Sequence, residues 1–268
     1  MLKLFFATVV SVFTAFSAHA WEVREMNETV NQTNFIVGMN GRGFCSGTLI
    51  SLKYRLVLTN HHCVEPAMQR RTKERVADDG TITKVEVVEI SEMQVSQKSY
   101  AGFKTVGQSV WQAKVVARWK QSDLALLQII AEDIPHTIAT HVFAGDRVYR
   151  GETVYAVGNP AMLDATITRG IISNTNRTFR VPWADAEVPF LQMDAGIVGG
   201  SSGGALYNDN GELVGVPAAG MRGTSIALAI PFFRVQEFLT NNCYEDVWRE
   251  SADDHDTCLA KKAKEEEE

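Results

Sequence analysis

Gly199-Gly200-Ser201-Ser202-Gly203-Gly204-Ala205-Leu206 sets two serines between two pairs of glycines. A serine hydroxyl is a poor nucleophile at neutral pH and needs an imidazole to take its proton, and the imidazole needs a carboxylate to fix its tautomer. Both partners lie upstream, in Leu58-Thr59-Asn60-His61-His62-Cys63-Val64 and in Ser122-Asp123-Leu124-Ala125-Leu126-Leu127. Glycines beside the serine serve a separate purpose: backbone with little side-chain bulk can turn two N–H groups toward a developing oxyanion. Taken singly, each segment has a plain explanation: a turn, a solvated strand end, a core or surface histidine. Their coincidence, in the order His, Asp, Ser and with matching flanks, overrides those explanations.

Around these segments the apolar runs are short, rich in Val, Ile, Thr and aromatics, and separated by Gly, Asn or Asp; Tyr54 to Thr59, Thr83 to Ile90, Leu124 to Ile130 and Leu213 to Pro217 are examples. This pattern predicts an all-β barrel or sandwich. Pro231 to Trp248 is the exception, with Phe233, Val235, Phe238 and Leu239 expected on one face of a terminal helix. Ala131 to Arg150 reads as the connection between two halves, and the charged run from Glu65 to Gly80 as a solvated surface loop.

The chain has 268 residues, 45% of them hydrophobic, and a net charge of −6, which excludes disordered and collagen-like classes. The segment from Tyr244 to Glu268 carries ten acids and four bases, so the body is close to neutral and shows no basic footprint for nucleic acid. Residues 1–20 carry Lys3, an apolar run from Leu4 to Phe16 and small residues ending Ala18-His19-Ala20, the layout of a secretory signal peptide. The expected product is a secreted or periplasmic protein beginning near Trp21, with no membrane span. Four cysteines in an exported chain point to two disulfides, and no Cys-x-x-Cys or His-x-x-x-His spacing argues for zinc. A metal site on His61, His62 and Cys63 fails because three consecutive side chains do not converge readily on one ion. Asn27-Glu28-Thr29, Asn31-Gln32-Thr33 and Asn176-Arg177-Thr178 fit the glycosylation sequon, which matters only in a eukaryotic host.

The three segments together resemble the trypsin-like (chymotrypsin-fold) serine peptidases, and more closely their HtrA-type branch. Phe44-Cys45-Ser46-Gly47-Thr48-Leu49-Ile50 resembles the strand before the histidine. Tyr155-Ala156-Val157-Gly158-Asn159-Pro160 and Thr168-Arg169-Gly170-Ile171-Ile172-Ser173 resemble the opening of the second HtrA barrel. Gln192-Met193-Asp194-Ala195 resembles the approach to the nucleophile, and Ala227-Leu228-Ala229-Ile230-Pro231 the strand entering the terminal helix. The likeness runs from about Asn34 to Leu239.

The resemblance implies an all-β fold of two six-stranded antiparallel β-barrels with a C-terminal helix. The first barrel would span about 34–130, the second about 150–231 and the helix about 231–248, within a peptidase domain of 21–243 followed by an acidic tail of 244–268. It implies a serine endopeptidase with no cofactor and no metal, acting on protein or peptide substrates. His62 would be the general base, Asp123 its orienting carboxylate and Ser202 the nucleophile, with Gly200 and Ser202 donating the oxyanion-hole N–H groups. His61 and Ser201 compete for these roles; registration on Cys63 and on Gly203-Gly204 favours His62 and Ser202. The resemblance pairs Cys45 with Cys63, and the even count pairs Cys243 with Cys258. It places Gly196 at the floor of the substrate pocket and Ala218 and Gly220 along its wall, which predicts cleavage after small or medium apolar residues; Asp194 is read as structural.

Two departures bear on function. The position before the nucleophile, Asp in trypsin-type enzymes and usually Asn in the HtrA branch, is Ser201. Without that Asp a buried new N-terminus has no acceptor, so Ile36-Val37-Gly38 is read as strand and activity is expected without proteolytic activation. The chain ends soon after the terminal helix and leaves no room for a PDZ domain, so trimer assembly and peptide-regulated activation are not carried over. The same departures define the alternative: a catalytically weak trypsin-like fold acting as a binding or scaffolding protein.

Overall fold

The computed structural model describes residues 21–76, 81–101, 104–181 and 187–267. The signal-peptide reading of 1–20 and the end of the charged run at 77–80 lie outside them. Six strands close the first barrel: β1 (Asn34–Met39), β2 (Arg42–Ser51), β3 (Leu56–Thr59), β6 (Met93–Ala101), β7 (Lys104–Trp119) and β8 (Leu124–Ile129), in the order β1-β2-β3-β8-β7-β6. A second closed barrel follows from β9 (Thr153–Gly158), β10 (Thr166–Arg180), β11 (Glu187–Met193), β12 (Ala205–Tyr207), β13 (Leu213–Gly220) and β14 (Ala227–Pro231), in the order β10-β11-β14-β13-β12-β9. All pairings within the barrels are antiparallel, and Ile36-Val37-Gly38 lies within β1.

The period-2 alternation of a strand explains why β8 is an unbroken apolar run. Its Ala125, Leu127 and Ile129 fill the first barrel with Val57, Phe35 and Val95. Its Leu124 and Leu126 face outward with Leu56 and Leu58, and pack on Val157, Leu213 and Val216 of the second barrel. One barrel strand thus builds two cores, and the second of them fixes the barrels against each other. That shared core also receives Val235, Phe238 and Leu239 of α2 (Phe232–Asn241), whose Phe232 is buried in the core of the second barrel. The helix is shorter than the sequence pattern suggests, and Phe232 takes the buried place expected for Phe233, which is exposed. The chain leaves the helix through Cys243 at φ 60°, a left-handed turn that ends the helical path.

Three further elements were not foreseen. Helix α1 (Val23–Thr33) precedes β1 and buries Met26, Val30 and Thr33. The charged run forms a strand, β4 (Met68–Val76), paired along its whole length with β5 (Ile82–Ile90) in an exposed two-stranded ribbon, because Arg71 and Lys73 find Glu89 across the ladder. Within the acidic tail of 244–268 the chain forms a solvent-exposed helix, α3 (His255–Glu267). Two disulfides link Cys45 to Cys63 and Cys243 to Cys258. Among the described residues no helix is long and apolar enough to cross a membrane.

Candidate active site

The cleft between the barrels collects the chemistry-bearing segments. His62 follows β3, Asp123 sits at the turn entering β8, and Ser202 lies in the loop between β11 and β12. Asp123 is 2% exposed and takes a left-handed φ of 52°, which aims its carboxylate back at His62. Asp123 Oδ1 accepts the His62 backbone N–H at 2.9 Å and lies 3.1 Å from its Nδ1, while Oδ2 lies 2.9 Å from the same ring nitrogen. A carboxylate oxygen accepts, so the contact selects the tautomer with its N–H on Nδ1, in which Nε2 is the acceptor nitrogen of the neutral ring. Asn60 Nδ2 donates to the Asp123 carbonyl at 2.9 Å and fixes the turn from the other side.

Ser202 Oγ donates to the Ala218 carbonyl oxygen at 3.3 Å; among the described residues it makes no hydrogen bond to His62. The two neighbours have other surroundings. Ser201 is 5% exposed, and its hydroxyl accepts the Val198 N–H at 3.3 Å. His61 is buried, with Nδ1 3.6 Å from the Glu65 carboxylate and Nε2 without a partner among the described residues, and burial pushes its pKa down.

The peptides before Ser202 are held one by one. The Gly199 carbonyl accepts the Ala161 N–H at 2.7 Å, and the Ser201 carbonyl accepts the Gly204 N–H at 3.1 Å. In a trans peptide the carbonyl and the following N–H point in opposite directions. Anchoring those two carbonyls therefore turns the N–H groups of Gly200 and Ser202 away from their anchors, and among the described residues neither has an acceptor. Gly200 adopts φ +100°, a conformation costly for any residue with a Cβ.

Beside Ser202 opens a cleft of about 470 Å³ lined by Gly196, Ile197, Ala218, Ala219, Gly220 and Ile226. Nothing lies within 4 Å of where a Cβ on Gly196 would stand. Among the described residues no carboxylate lines the cleft, and the one charged lining residue is Arg222, on the exposed turn between β13 and β14. Asp194 is spent elsewhere, accepting the Ile171 N–H at 2.7 Å. Cys45, His62 and Cys63 present their donor atoms close together, but both sulfurs are consumed by the disulfide and offer no thiolate to a metal. Sequence reasoning did not assign Arg222, nor Ser46 and Asn159, although the last two stand inside quoted motifs.

Residues 45–216 match the family described as trypsin-like peptidase domain. The chain is 32% identical over 199 residues to a probable periplasmic serine protease do/HhoA-like of Haemophilus influenzae, covering 72% of this chain and 35% of that protein. It is 38% identical over 122 residues to a probable periplasmic serine endoprotease DegP-like of a Marinomonas species, covering 43% of this chain and 25% of that one. Against these two curated relatives the chain spans between 25% and 35% of their length. The serine endoprotease from Yersinia pestis superposes with a TM-score of 0.57 at 26% identity, over 81% of this chain and 65% of that one.

Proposed function

Because the chain belongs to the family of trypsin-like peptidase domains, we propose that it is a serine endopeptidase acting in the periplasm or outside the cell through Ser202, His62 and Asp123. The observation that carries this reading is the buried Asp123 carboxylate closed on His62 Nδ1 at 2.9 Å, in the same cleft as the N–H groups of Gly200 and Ser202, which have no acceptor among the described residues. Ser202 Oγ attacks the scissile carbonyl and passes its proton to His62 Nε2; Asp123 holds the resulting imidazolium. The carbonyl oxygen becomes an oxyanion between the N–H groups of Gly200 and Ser202. The imidazolium then protonates the leaving amine, an acyl-enzyme remains on Ser202, and water activated by His62 releases it. No step draws on a metal or cofactor.

The cleft beside Ser202 supports cleavage after small or medium apolar residues. An aliphatic side chain gains about 1.5–3 kcal/mol on burial there. A guanidinium or ammonium would lose its hydration among Gly196, Ala218 and Gly220 without a carboxylate to replace it, at a cost of several kcal/mol, roughly, and Arg222 adds repulsion.

The Ser202–Ala218 hydrogen bond favours a second reading, a binding protein without turnover. It is 3.3 Å long and rotation about χ1 breaks it; catalytic hydrogen bonds in unliganded enzymes commonly tighten only with substrate. Hydrolysis of a casein-type substrate by the purified protein, lost in both Ser202→Ala and His62→Ala, supports the peptidase; binding without hydrolysis in the unmutated protein supports the second reading.

A further inference from the structure

Ser46 is fully buried in β2 of the first barrel, and its polar atoms reach across to the loop that carries Ser202 in the second. Its backbone N–H donates to the Ser202 carbonyl at 2.8 Å. Its hydroxyl donates to the Gly200 carbonyl at 2.7 Å and accepts from Asn159 twice, from the backbone N–H at 2.7 Å and from Nδ2 at 3.1 Å. A hydroxyl has one proton and two lone pairs. Both Asn159 contacts are donors, so the Ser46 proton can go only to Gly200, and the hydroxyl is saturated. Asn159 is itself immobilised: Nδ2 donates to the Phe35 carbonyl at 2.8 Å, and Oδ1 accepts Asn34 Nδ2 at 2.9 Å and the Ala165 N–H at 3.1 Å.

We propose that Ser46, backed by Asn159, is a positioning residue that locks the Gly200–Ser201 peptide and so holds the Gly200 and Ser202 N–H groups in their donating orientation. The proposal rests on the reading of those two groups as the oxyanion hole. The need for such a lock follows from the loop's composition. Gly199 and Gly200 rotate at little cost, and a peptide flip there would replace a donor N–H with a carbonyl oxygen. Ser201 offers no charge with which to hold the loop, and its hydroxyl is already bonded to Val198 within it. Within the second barrel the Ala161 N–H holds the Gly199 carbonyl and the Val198 carbonyl holds the Ser201 N–H. Ser46 adds the restraint on the Gly200 carbonyl, and because it comes from the other barrel it also couples the half of the site carrying Ser202 to the half carrying His62 and Asp123. Removing the hydroxyl leaves the Gly200 carbonyl and the buried Asn159 N–H without this partner and loosens the peptide on its Gly200 side. Substrate binding in the 470 Å³ cleft makes no use of this bond.

The test compares Ser46→Ala with the unmutated protein in steady-state peptide hydrolysis, in inhibition by a peptide boronic acid that forms a tetrahedral adduct on serine, and in thermal melting. The expected result is a roughly 10- to 100-fold fall in kcat with KM within about twofold, and a parallel weakening of the boronate, a range that reaches the cost of misplacing a catalytic group by about 1 Å and stays below that of losing an oxyanion donor outright. Asn159→Ala, which keeps the backbone N–H to Ser46, should show the same split with a smaller fall, and it decides the question if Ser46→Ala does not fold. A kcat within twofold of the unmutated protein, or kcat and KM changing together, overturns the proposal. Labelling the unmutated protein with a fluorophosphonate separates the two levels. Labelling at Ser202 that persists at an unchanged rate in Ser46→Ala refutes the lock alone, whereas no labelling of the unmutated protein removes the peptidase reading and the lock with it.

Discussion

Replacing Cys45 and Cys63 together by alanine should lower both stability and turnover, whereas the same change at Cys243 and Cys258 should spare turnover. The first bridge spans 18 residues and the second 15. In the chain-entropy account, opening a loop of either length costs about 3 kcal/mol, because the unfolded chain regains the freedom the bridge denied it. For a protein of this size that corresponds to a fall in Tm of about 6–12 °C. The two pairs differ in what they touch. Cys63 follows His62 directly and is fully buried, and its bridge ties the loop carrying His62 to β2. Loosening that loop leaves the imidazole held chiefly by Asp123, and displacement of a catalytic group by about 1 Å can cost about 100-fold; a fall in kcat of about tenfold is expected. Cys243–Cys258 holds α3, which is exposed and carries none of His62, Asp123 or Ser202. Guanidinium melts followed by tryptophan fluorescence give the stability change, and kcat on a peptide substrate gives the functional one. A Cys45/Cys63 double variant that loses less than about 1 kcal/mol, or that loses stability yet keeps full kcat, would refute the reasoning.

Ser202→Ala and His62→Ala should each cost on the order of 10⁴-fold or more in kcat, while Ser201→Ala and His61→Ala retain most activity; an equally dead, folded Ser201→Ala would reassign the nucleophile. A positional-scanning peptide library should show small or medium apolar residues at the cleaved position, and a dominant preference for Arg or Lys there would contradict the composition of the cleft. His61 and His136 are both pushed below the ordinary histidine value of 6.5 by burial. The unfolded chain therefore takes up their protons first, and their contribution to stability, complete above pH 6.5, is lost as the pH falls below it. Chemical denaturation at pH 7.5 and pH 5 should show this loss reduced in a His61→Gln/His136→Gln variant, and an unchanged pH slope would exclude these histidines as its source. Gly203→Ala should fail to fold or melt far lower, since a Cβ there would stand 2.2 Å from Thr59 Oγ1 and 2.3 Å from the Ser46 carbonyl oxygen at φ +83°; circular dichroism melts check it.

The all-β architecture was legible because its strands carry their pattern locally: β3 and β8 are apolar runs bounded by turns, and the alternation that divides Leu124 and Leu126 from Ala125 and Leu127 is present in the sequence itself. His62, Asp123 and Ser202 were legible as candidates because few residue types can perform their chemistry. Helix α1 was not, since its buried face offers only Met26, Val30 and Thr33, too brief a pattern to register as periodic. Helix α3 buries almost nothing and so leaves no hydrophobic signature. Adjacent phenylalanines hid which of Phe232 and Phe233 faces the core, because one residue rotates a helix by about 100°. The contacts of Ser46 were invisible for a different reason: its partners are a carbonyl 154 positions away and an N–H 113 positions away, and backbone groups have no identity that a sequence can display.

Fluorophosphonate labelling of the purified protein, located by peptide mass spectrometry, tests the central claim most directly, because phosphonylation demands a serine activated by its base. The account predicts one adduct per chain, on Ser202, absent in Ser202→Ala and strongly slowed in His62→Ala and Asp123→Asn. An adduct on Ser201, or an unlabelled but folded protein, would contradict it.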